Sequence, residues 1–297
     1  MNIALIGACE MEGAAVAKAF KQAKCEPTLV VEDTLQAQQL LGNEYKYKRC
    51  ELGSLSMLKN TLLGMESVYI SLTCSDECSA QLMVGYIKNI VAACQFCNVK
   101  TIGLLSQSFV SEQNTELFYE THAQYECEQL LRESGLNYLI FCPAPFMENV
   151  PQYVQGRQLH NYIKSERAIH WLALKDFACA VLKTYQHGGI ENARFILQGQ
   201  SAFSLQEAIN IYAQEVYRGI KFENVESFVS WLRVSFMGDK GLLHGAKQAR
   251  FLAQAQPVKD DNSEQGHWLL PSVTTAFKAW CHLQILVKRQ DQTALSA

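Results

Sequence analysis

Short apolar runs alternate with helical stretches along the first two thirds of the chain. The first run, Asn2–Ile6, ends at Gly7, and a helical stretch rich in alanine follows from about Gly13 to Lys24. A second apolar run, Thr28–Val31, comes next. Continuous apolar runs are typical of strands buried on both faces, so the pattern predicts parallel strands that are covered by helices.

The same alternation continues to about residue 200. Five further strands are predicted near Tyr45–Cys50, Ser67–Leu72, Lys100–Ser106, Asn137–Cys142 and Arg194–Leu197. Helices are predicted between them near Leu55–Leu63, Glu77–Cys97, His122–Ser134 and Asp176–His187. The predicted fold class is therefore α/β, with a doubly wound parallel sheet.

Beyond residue 200 the pattern turns helical. Ser204 and Glu207 have the spacing of a capping box and predict a helix that runs to about Tyr217. Further helices are predicted near Asn224–Phe236, Gly241–Gln256 and Ser272–Lys288, with an exposed polar loop at Lys259–Gly266. We expect a first domain over residues 1–150 and a smaller, mostly helical region over 151–297, with one segment at about 190–200 returning to the sheet.

The turn between the first strand and the first helix has the spacing of a phosphate-binding loop. Gly7 and Gly13 are the first and last glycines of a GxxGxxG pattern, and strand, glycine turn, helix and strand predict a Rossmann-type dinucleotide-binding unit. The middle position is Glu10, whose bulk and charge oppose a bound pyrophosphate by about 1–4 kcal/mol, and Glu12 adds a second acid. The glycines also fit a purely structural role in the turn. Candidate cofactor contacts here are Gly7, Cys9, Glu10, Met11 and Gly13.

An acidic residue follows the second strand. Glu32 lies 19 residues after Gly13 (32 − 13), the separation at which a carboxylate accepts hydrogen bonds from a ribose and repels a 2′-phosphate. If a dinucleotide binds, the sequence favours NAD over NADP. Alternatively, Glu32 is only an acid that ends a strand.

Several segments resemble the NmrA-like family, atypical members of the short-chain dehydrogenase/reductase superfamily. The most specific are Leu131–Pro143, in which a helix ends in S-G-L before a strand, and Phe146–Asn149, which reads F-M-E-N. The resemblance extends from Ile3 to about Trp280. Other similar segments are Glu51–Leu58, Val99–Ser106 and Ile169–Asp176. The resemblance adds Glu51 and Gln124 to the candidate cofactor contacts.

The resemblance implies a fold more firmly than an activity, because the family includes NAD(P)H-dependent reductases, quinone reductases among them, and cofactor sensors that regulate partners. This chain departs from the family at Glu10, at Glu32 in place of an arginine that favours NADP, at Gln124 in place of a lysine, and at Cys142 in place of an arginine. In related reductases that lysine holds the nicotinamide ribose and lowers the pKa of a nearby hydroxyl, which a glutamine cannot do.

These departures favour a non-catalytic or weakly catalytic binding or regulatory protein, with a dinucleotide or small molecule in the cleft at the carboxyl ends of the strands. The alternative is an NAD(P)H-dependent oxidoreductase that acts on a quinone or other carbonyl, with Ser106, Tyr119 or His122 as catalytic candidates. A third hypothesis is a structural subunit that keeps the fold for contacts with a protein partner.

Composition excludes some classes of function. Lysine and arginine number 26 against 29 acidic residues, which gives no basic excess for nucleic-acid binding. No run reaches the roughly 18 apolar residues of a membrane span. Eleven scattered cysteines without a secretory signal favour reduced thiols and a cytoplasmic location.

Cysteine and histidine pairs suggest other chemistry, which we weigh against packing. Cys74 and Cys78 are separated from Cys94 and Cys97 by a predicted helix about 30 Å long, so no zinc or other metal site is expected. Cys9 lies near a helix N-terminus, which lowers a thiol pKa, although the neighbouring acids oppose that shift. The pair His170-Trp171 is interpreted as packing, and His267-Trp268 as a possible lining of the cleft.

Overall fold

The computed structural model describes residues 1–155, 157–160, 165–225, 240–256, 258, 266, 268–272 and 274–294. The chain forms two compact units. The first comprises Met1–Pro143, Leu174–Leu197 and Gln256–Pro271, and the second comprises Ala144–Ala173, Gln198–Ala255 and Ser272–Ala297. The first unit thus combines segments from both sides of the domain division predicted at residue 150.

A parallel sheet of seven strands forms the centre of the first unit. Its strands are β1 (Ile3–Ile6), β2 (Thr28–Val31), β3 (Lys46–Arg49), β4 (Ser67–Ile70), β5 (Thr101–Leu105), β6 (Asn137–Pro143) and β10 (Ala193–Leu197). They lie in the order β10-β6-β5-β4-β1-β2-β3. The strand order reverses between β1 and β4, where Ala4 pairs with Val68. This confirms the predicted doubly wound, Rossmann-type sheet and places its switch point at the end of β1.

Six α-helices of the described residues belong to the same unit. They are α1 (Met11–Gln22), α2 (Thr34–Leu41), α3 (Leu55–Leu62), α4 (Glu77–Phe96), α5 (Tyr119–Arg132) and α6 (Leu174–His187). Helix α1 packs against α6, while α4 packs against both α3 and α5. Helix α2 was not predicted from the sequence. Half of its eight side chains are polar, and it begins where Asp33 accepts hydrogen bonds from Leu35 N and Gln36 N.

The core of the first unit is apolar and tightly packed. All four residues of β1 are buried, and Val16, Ala17 and Phe20 of α1 are completely inaccessible. A cluster of aromatic rings includes Tyr185 of α6, whose hydroxyl donates to Val68 O at 2.9 Å. Burial on both faces explains why the strand sequences are continuous apolar runs.

The second unit combines helices with very short strands. Its helices are α7 (Leu205–Val216), α8 (Lys240–Gln254) and α9 (Phe277–Ala294), with a 3₁₀ segment at Met147–Tyr153. Its strands are β7 (Val154–Gln155), β8 (Gln158–His160), β9 (Ile169–His170), β11 (Ala202–Phe203) and β12 (Glu223–Val225). These strands form one sheet of two and one of three. Strand β12 corrects the expectation that the chain is wholly helical after about Tyr217.

Several local predictions fall in the second unit. The capping box is confirmed, since Glu207 N donates to Ser204 Oγ at 3.2 Å and Ser204 N donates to Glu207 Oε2 at 2.8 Å. The prediction of a helix at Asn224 is wrong, because that residue pairs with β8 in strand β12. The rest of that predicted helix, 226–236, lies outside the described residues, as does the predicted polar loop except for Gly266.

Packing accounts for one residue of the pair His170-Trp171. Trp171 is 2% exposed, its ring contacts Phe277, and its Nε1 donates to Phe203 O at 3.1 Å, which confirms the packing interpretation for Trp171. His170 is exposed, and its Nδ1 lies 2.9 Å from Gly199 O. His267 lies outside the described residues. Across the described part of the chain, no helix combines the length and apolar character needed to cross a membrane.

Candidate functional site

The turn after β1 depends on both of its glycines. Gly7 has a φ of +81°, a left-handed conformation that side chains disfavour, and a Cβ there would overlap Ser71 O. A Cβ on Gly13 would overlap Gly7 O. The two glycines therefore let the start of α1 lie against the ends of β1 and β4, where the strand order reverses. Backbone N–H groups at such a helix start attract anions.

Glu10 fits this turn without distorting it. The residue has an ordinary φ of −75° and precedes α1 as its N-cap, although its side chain caps no backbone N–H group. Its exposed carboxylate instead accepts a hydrogen bond from Thr73 Oγ1, at 3.2 Å, on the loop after β4. The backbone of the turn consequently does not require glycine at position 10. The charge at this position still lies beside the helix N-terminus.

Cys9 and Met11, on either side of Glu10, are both exposed. Partial burial raises the pKa of the Cys9 thiol, and the charges of Glu10 and Asp33 raise it further. These effects oppose the lower thiol pKa that a helix N-terminus alone favours. Burial and the neighbouring charges therefore favour the protonated form of the Cys9 thiol.

The ends of β2 and β3 bring an arginine between two acids. Arg49, paired in register with Val31, donates from Nε to Glu32 O at 3.3 Å and from Nη2 to Glu51 Oε1 at 3.5 Å. All three side chains are exposed. The two glutamates were predicted from the sequence as cofactor contacts, but Arg49 was not. The pairing of β2 with β3, which places Arg49 beside Val31, would have indicated it. An arginine at this place can receive a 2′-phosphate, whereas Glu32 suits a free ribose hydroxyl.

Three polar side chains lie along one buried face of α5. Glu120, Gln124 and Glu128 are spaced by four residues and are all at most 5% exposed. Side chains four residues apart share one face of a helix, so this spacing was visible in the sequence, yet the analysis identified only Gln124. The face carries two acids into the interior of the first unit.

Glu128 is held by a buried ion pair. Its Oε2 accepts from Arg194 Nε of β10 at 2.9 Å, and its Oε1 accepts from Ser106 Oγ at 2.5 Å. Arg194 also donates to Val110 O at 2.9 Å, so the pair connects α5, β10 and the segment after β5. The catalytic candidate Ser106 is thus fully buried, with its hydroxyl bound to a carboxylate.

Glu120 is the most perturbed acid among these groups. Burial raises its pKa to about 7, while a hydrogen bond from the Gln107 side chain lowers it and the charge of Glu12 raises it. Glu12 lies in the first turn of α1, inside the glycine turn, and its own pKa is raised by burial and by Glu10. Two acids with raised pKa values therefore lie where α1 and α5 begin.

The structure does not join the three catalytic candidates into one group. Tyr119 donates from its hydroxyl to Ser75 O at 2.9 Å, and burial raises the pKa of that hydroxyl, as do the neighbouring Cys74 and Glu120. His122 is exposed, and its Nε2 lies 3.7 Å from Glu126 Oε1. Ser106 contacts Glu128, as above. Each candidate thus contacts a different partner.

Gln124 is deeply buried, and its Oε1 accepts no hydrogen bond from any described group. Within the same described ranges, His, Cys, Asp and Glu side chains form no cluster able to hold a metal ion. Cys78 lies in the first turn of α4 and Cys94 in its last, and a helix of 20 residues is about 30 Å long.

The family comparison identifies the type of domain. The family whose sequence profile matches residues 11–183 is described as NAD(P)H-binding, and the match covers more than half of the chain. The chain belongs to the NAD(P)H-binding family. The matched segment begins at Met11, inside the glycine turn, and extends into α6. No curated protein matches the sequence.

Solved structures share the fold over nearly the whole chain. The NADPH complex of an NADPH-dependent quinone oxidoreductase from Escherichia coli has a TM-score of 0.76 at 18% identity, covering 95% of this chain and 99% of that one. A triphenylmethane reductase from Citrobacter sp. has a TM-score of 0.77 at 16% identity, and the match covers 96% of this chain and 99% of that one. A nucleoside-diphosphate-sugar epimerase from Staphylococcus aureus has a TM-score of 0.76 at 16% identity, and the match covers 95% of this chain and 99% of that one. At these identities the likeness establishes the fold alone.

Proposed function

We propose that this NAD(P)H-binding protein is an NmrA-like oxidoreductase that reduces a quinone or another small carbonyl compound with a nicotinamide dinucleotide. The observation that carries the proposal is the turn from Gly7 to Gly13, whose close backbone packing has no room for a side chain at either glycine. The ordinary backbone of Glu10 leaves that turn intact. The proposal therefore reverses the preference for a non-catalytic protein.

The residues of the turn fit a dinucleotide. Backbone N–H groups at the start of α1 would hold the pyrophosphate, with Glu10 weakening the binding by charge repulsion. Glu32 would accept hydrogen bonds from the adenosine ribose. Gln124 Oε1, an acceptor without a described donor, would accept from a hydroxyl or amide of the ligand. When bound, the reduced dinucleotide supplies a hydride.

We further propose a preference for NAD over NADP. Arg49 is the cation that would receive a 2′-phosphate, but it already donates to the backbone carbonyl of Glu32 and to the carboxylate of Glu51. A 2′-phosphate there meets two negative charges for one positive charge. The solved quinone oxidoreductase from Escherichia coli is NADPH-dependent, so the preference is a point on which the two proteins would differ.

The proposed class of hydride acceptor rests on the names of solved structures that share the fold. A quinone oxidoreductase and a triphenylmethane reductase share the fold, and their names state a quinone and a triphenylmethane dye as the compounds that they act on. Hydride transfer is mainly the chemistry of the cofactor, so the protein must chiefly bind and orient its two ligands. A quinone is accordingly the first acceptor to test.

A second candidate function is dinucleotide binding without turnover, in a regulatory protein. It is favoured by the hydroxyls of Ser106 and Tyr119, which are bound to Glu128 and to Ser75 O. The uncharged Gln124 also supplies no positive field to activate a hydroxyl. This candidate differs from the first in predicting binding without consumption of the dinucleotide.

One experiment separates the two candidates. NADH and NADPH are titrated into the purified protein by calorimetry, and oxidation of each is then followed at 340 nm with a panel of quinones. Saturable binding with quinone-dependent oxidation supports the oxidoreductase. Saturable binding without oxidation of any acceptor supports the regulatory protein. No binding of either dinucleotide overturns both.

A further inference from the structure

Residues from the end of α7 and from α9 line a surface cavity in the second unit. Its volume is about 740 Å³, which lies within the range of small-molecule sites. Helix α7 ends at Val216, and the turn after it is closed by a hydrogen bond from Ile220 N to Tyr217 O at 3.1 Å. Helix α9 packs against α7 and brings His282 and Ile285 to the same cavity.

One part of the cavity is apolar. Val216, Ile220 and Ile285 all contribute aliphatic side chains to its lining. Ile220 is 44% exposed to solvent. Aliphatic side chains that share one surface cavity offer a contact for an apolar molecule, since covering them removes apolar area from water.

A cluster of three basic side chains surrounds one acid at this cavity. Glu215 Oε2 lies 3.2 Å from Arg218 Nη2 and 3.1 Å from His282 Nε2, and Glu215 Oε1 lies 3.8 Å from Lys278 Nζ. Hydrogen bonds from His282 and Arg218 lower the pKa of Glu215, so this acid stays ionised at neutral pH. Arg218 and Lys278 together outweigh the single negative charge even when His282 is neutral. The cluster therefore favours an anion.

Arg218 keeps hydrogen-bond donors for that anion. An arginine carries five N–H donors, and within the described residues Arg218 uses only Nη2, which contacts Glu215 and His282. Its Nε and Nη1 donors remain, and its side chain is 69% exposed. A carboxylate matches two parallel N–H donors of one guanidinium. Glu215 thus holds the cation in place beside the cavity without occupying all of its donors.

We propose that this cavity binds a small organic anion, namely a carboxylate attached to an aromatic or branched apolar body. The carboxylate would accept hydrogen bonds from Arg218, and the apolar body would cover Val216, Ile220 and Ile285. An inorganic anion would leave these aliphatic side chains in water, and an uncharged apolar molecule would leave the excess positive charge without a partner. The dinucleotide turn takes no part in this binding, because its residues belong to the first unit.

Calorimetric titration of 2-naphthoate into the purified full chain measures the binding directly. We expect saturable binding at a single site. Two further compounds separate charge from apolar contact. The first is 2-naphthalenemethanol, which has the same rings and no charge, and the second is inorganic phosphate, which has charge and no rings. Each is expected to bind at least about tenfold more weakly than 2-naphthoate.

Arg218→Gln is the test variant, and its affinity for 2-naphthoate is expected to fall by about tenfold or more. Arg157→Gln is the matched control, since Arg157 is an exposed arginine of the same unit that does not line the cavity. It should bind as the parent protein does. Ile220→Ser is the second variant and removes apolar contact, for an expected loss of about threefold to tenfold. Circular dichroism checks that each variant is folded.

The outcomes decide the inference without reference to the proposed function. Absence of saturable 2-naphthoate binding to the parent protein overturns it. Equal affinities of the parent protein and Arg218→Gln also overturn it, as do equal affinities for 2-naphthoate and 2-naphthalenemethanol. Phosphate that binds as tightly as 2-naphthoate would reveal an anion site without an apolar part, which again contradicts the inference. Absence of NADH binding overturns the proposed function and leaves this inference standing.

Discussion

Glu128 of α5 and Arg194 of β10 are joined by two hydrogen bonds, 2.9 Å from Nε to Oε2 and 3.3 Å from Nη2 to Oε1, although 66 residues separate them. Their side chains are 3% and 8% exposed. A buried pair of this kind contributes little net stability compared with apolar residues, but removal of one partner leaves an uncompensated charge in the interior.

Replacement of one partner is therefore expected to destabilise the protein. Arg194→Met should lower the free energy of unfolding by about 3–5 kcal/mol, since Glu128 would lose its buried cation and keep only Arg132, whose Nη2 lies 3.5 Å from its Oε2. The double variant Arg194→Met with Glu128→Leu should recover most of that loss. Urea denaturation followed by circular dichroism measures both. Equal losses in the single and double variants would contradict the argument.

The raised pKa of Glu120 makes stability depend on pH. Its folded-state pKa of about 7 exceeds the ordinary 4.5, so the folded protein keeps a proton that the unfolded chain loses. Stability from this group is complete below pH 4.5 and declines as the pH rises towards 7, by roughly 3 kcal/mol at most.

In Glu120→Gln that decline should disappear, because the amide does not titrate. Thermal denaturation at a series of pH values between about 4.5 and 8 compares the variant with the parent protein. Glu116→Gln, which removes an exposed acid from the adjoining segment, should retain the decline. Parallel curves for Glu120→Gln and the parent would show that Glu120 is ionised throughout.

Removal of the charge at position 10 should strengthen dinucleotide binding. Glu10→Gly removes a carboxylate beside the helix N-terminus, and a repulsion of about 1–2 kcal/mol corresponds to a gain of roughly fivefold to thirtyfold in affinity for NADH. Calorimetry measures the gain. Glu10→Gln separates charge from bulk, since it removes the charge and leaves a side chain of similar size. An unchanged affinity in both variants would mean that the Thr73-bound carboxylate lies clear of the pyrophosphate.

Gly7→Ala is expected to damage both the fold and the site. The substitution places a side chain at a φ of +81° and against Ser71 O, and a strained residue of this kind costs about 1–3 kcal/mol. Chemical denaturation should show the loss, and NADH titration a weaker binding. Gly64→Ala has a similar φ of +80° but open space around it, so comparison of the two isolates the effect of the close contact.

The sheet could be predicted from the sequence because strands that are buried on both faces are continuous apolar runs. Each of the seven strands of the first unit coincides with an apolar run, apart from β3, whose residues Lys46–Arg49 are polar and lie at the sheet edge. Helix α2 was missed because its buried face consists of Ala37 alone. Strands of two or three residues in the second unit are too short to produce a pattern.

The site was predicted only in part. The glycine turn was found because its backbone geometry restricts the residues that can occupy it. Glu120 was missed because an acid in the first turn of a helix usually caps an exposed end, and only the fold reveals that this end is buried. Arg194 was missed because its partner Glu128 lies far away in sequence, and one chain gives no sign of that pairing.

The ordinary backbone of Glu10 separates two properties that the glycines of the same turn combine. A change at Gly7 or Gly13 alters folding and ligand contact together, whereas the φ of −75° at position 10 accommodates a side chain without strain. Substitutions there can therefore adjust the working concentration range of the dinucleotide while the rest of the molecule keeps its stability. A single substitution at position 10 can therefore change a site that is nearly always occupied into one whose occupancy follows the dinucleotide concentration.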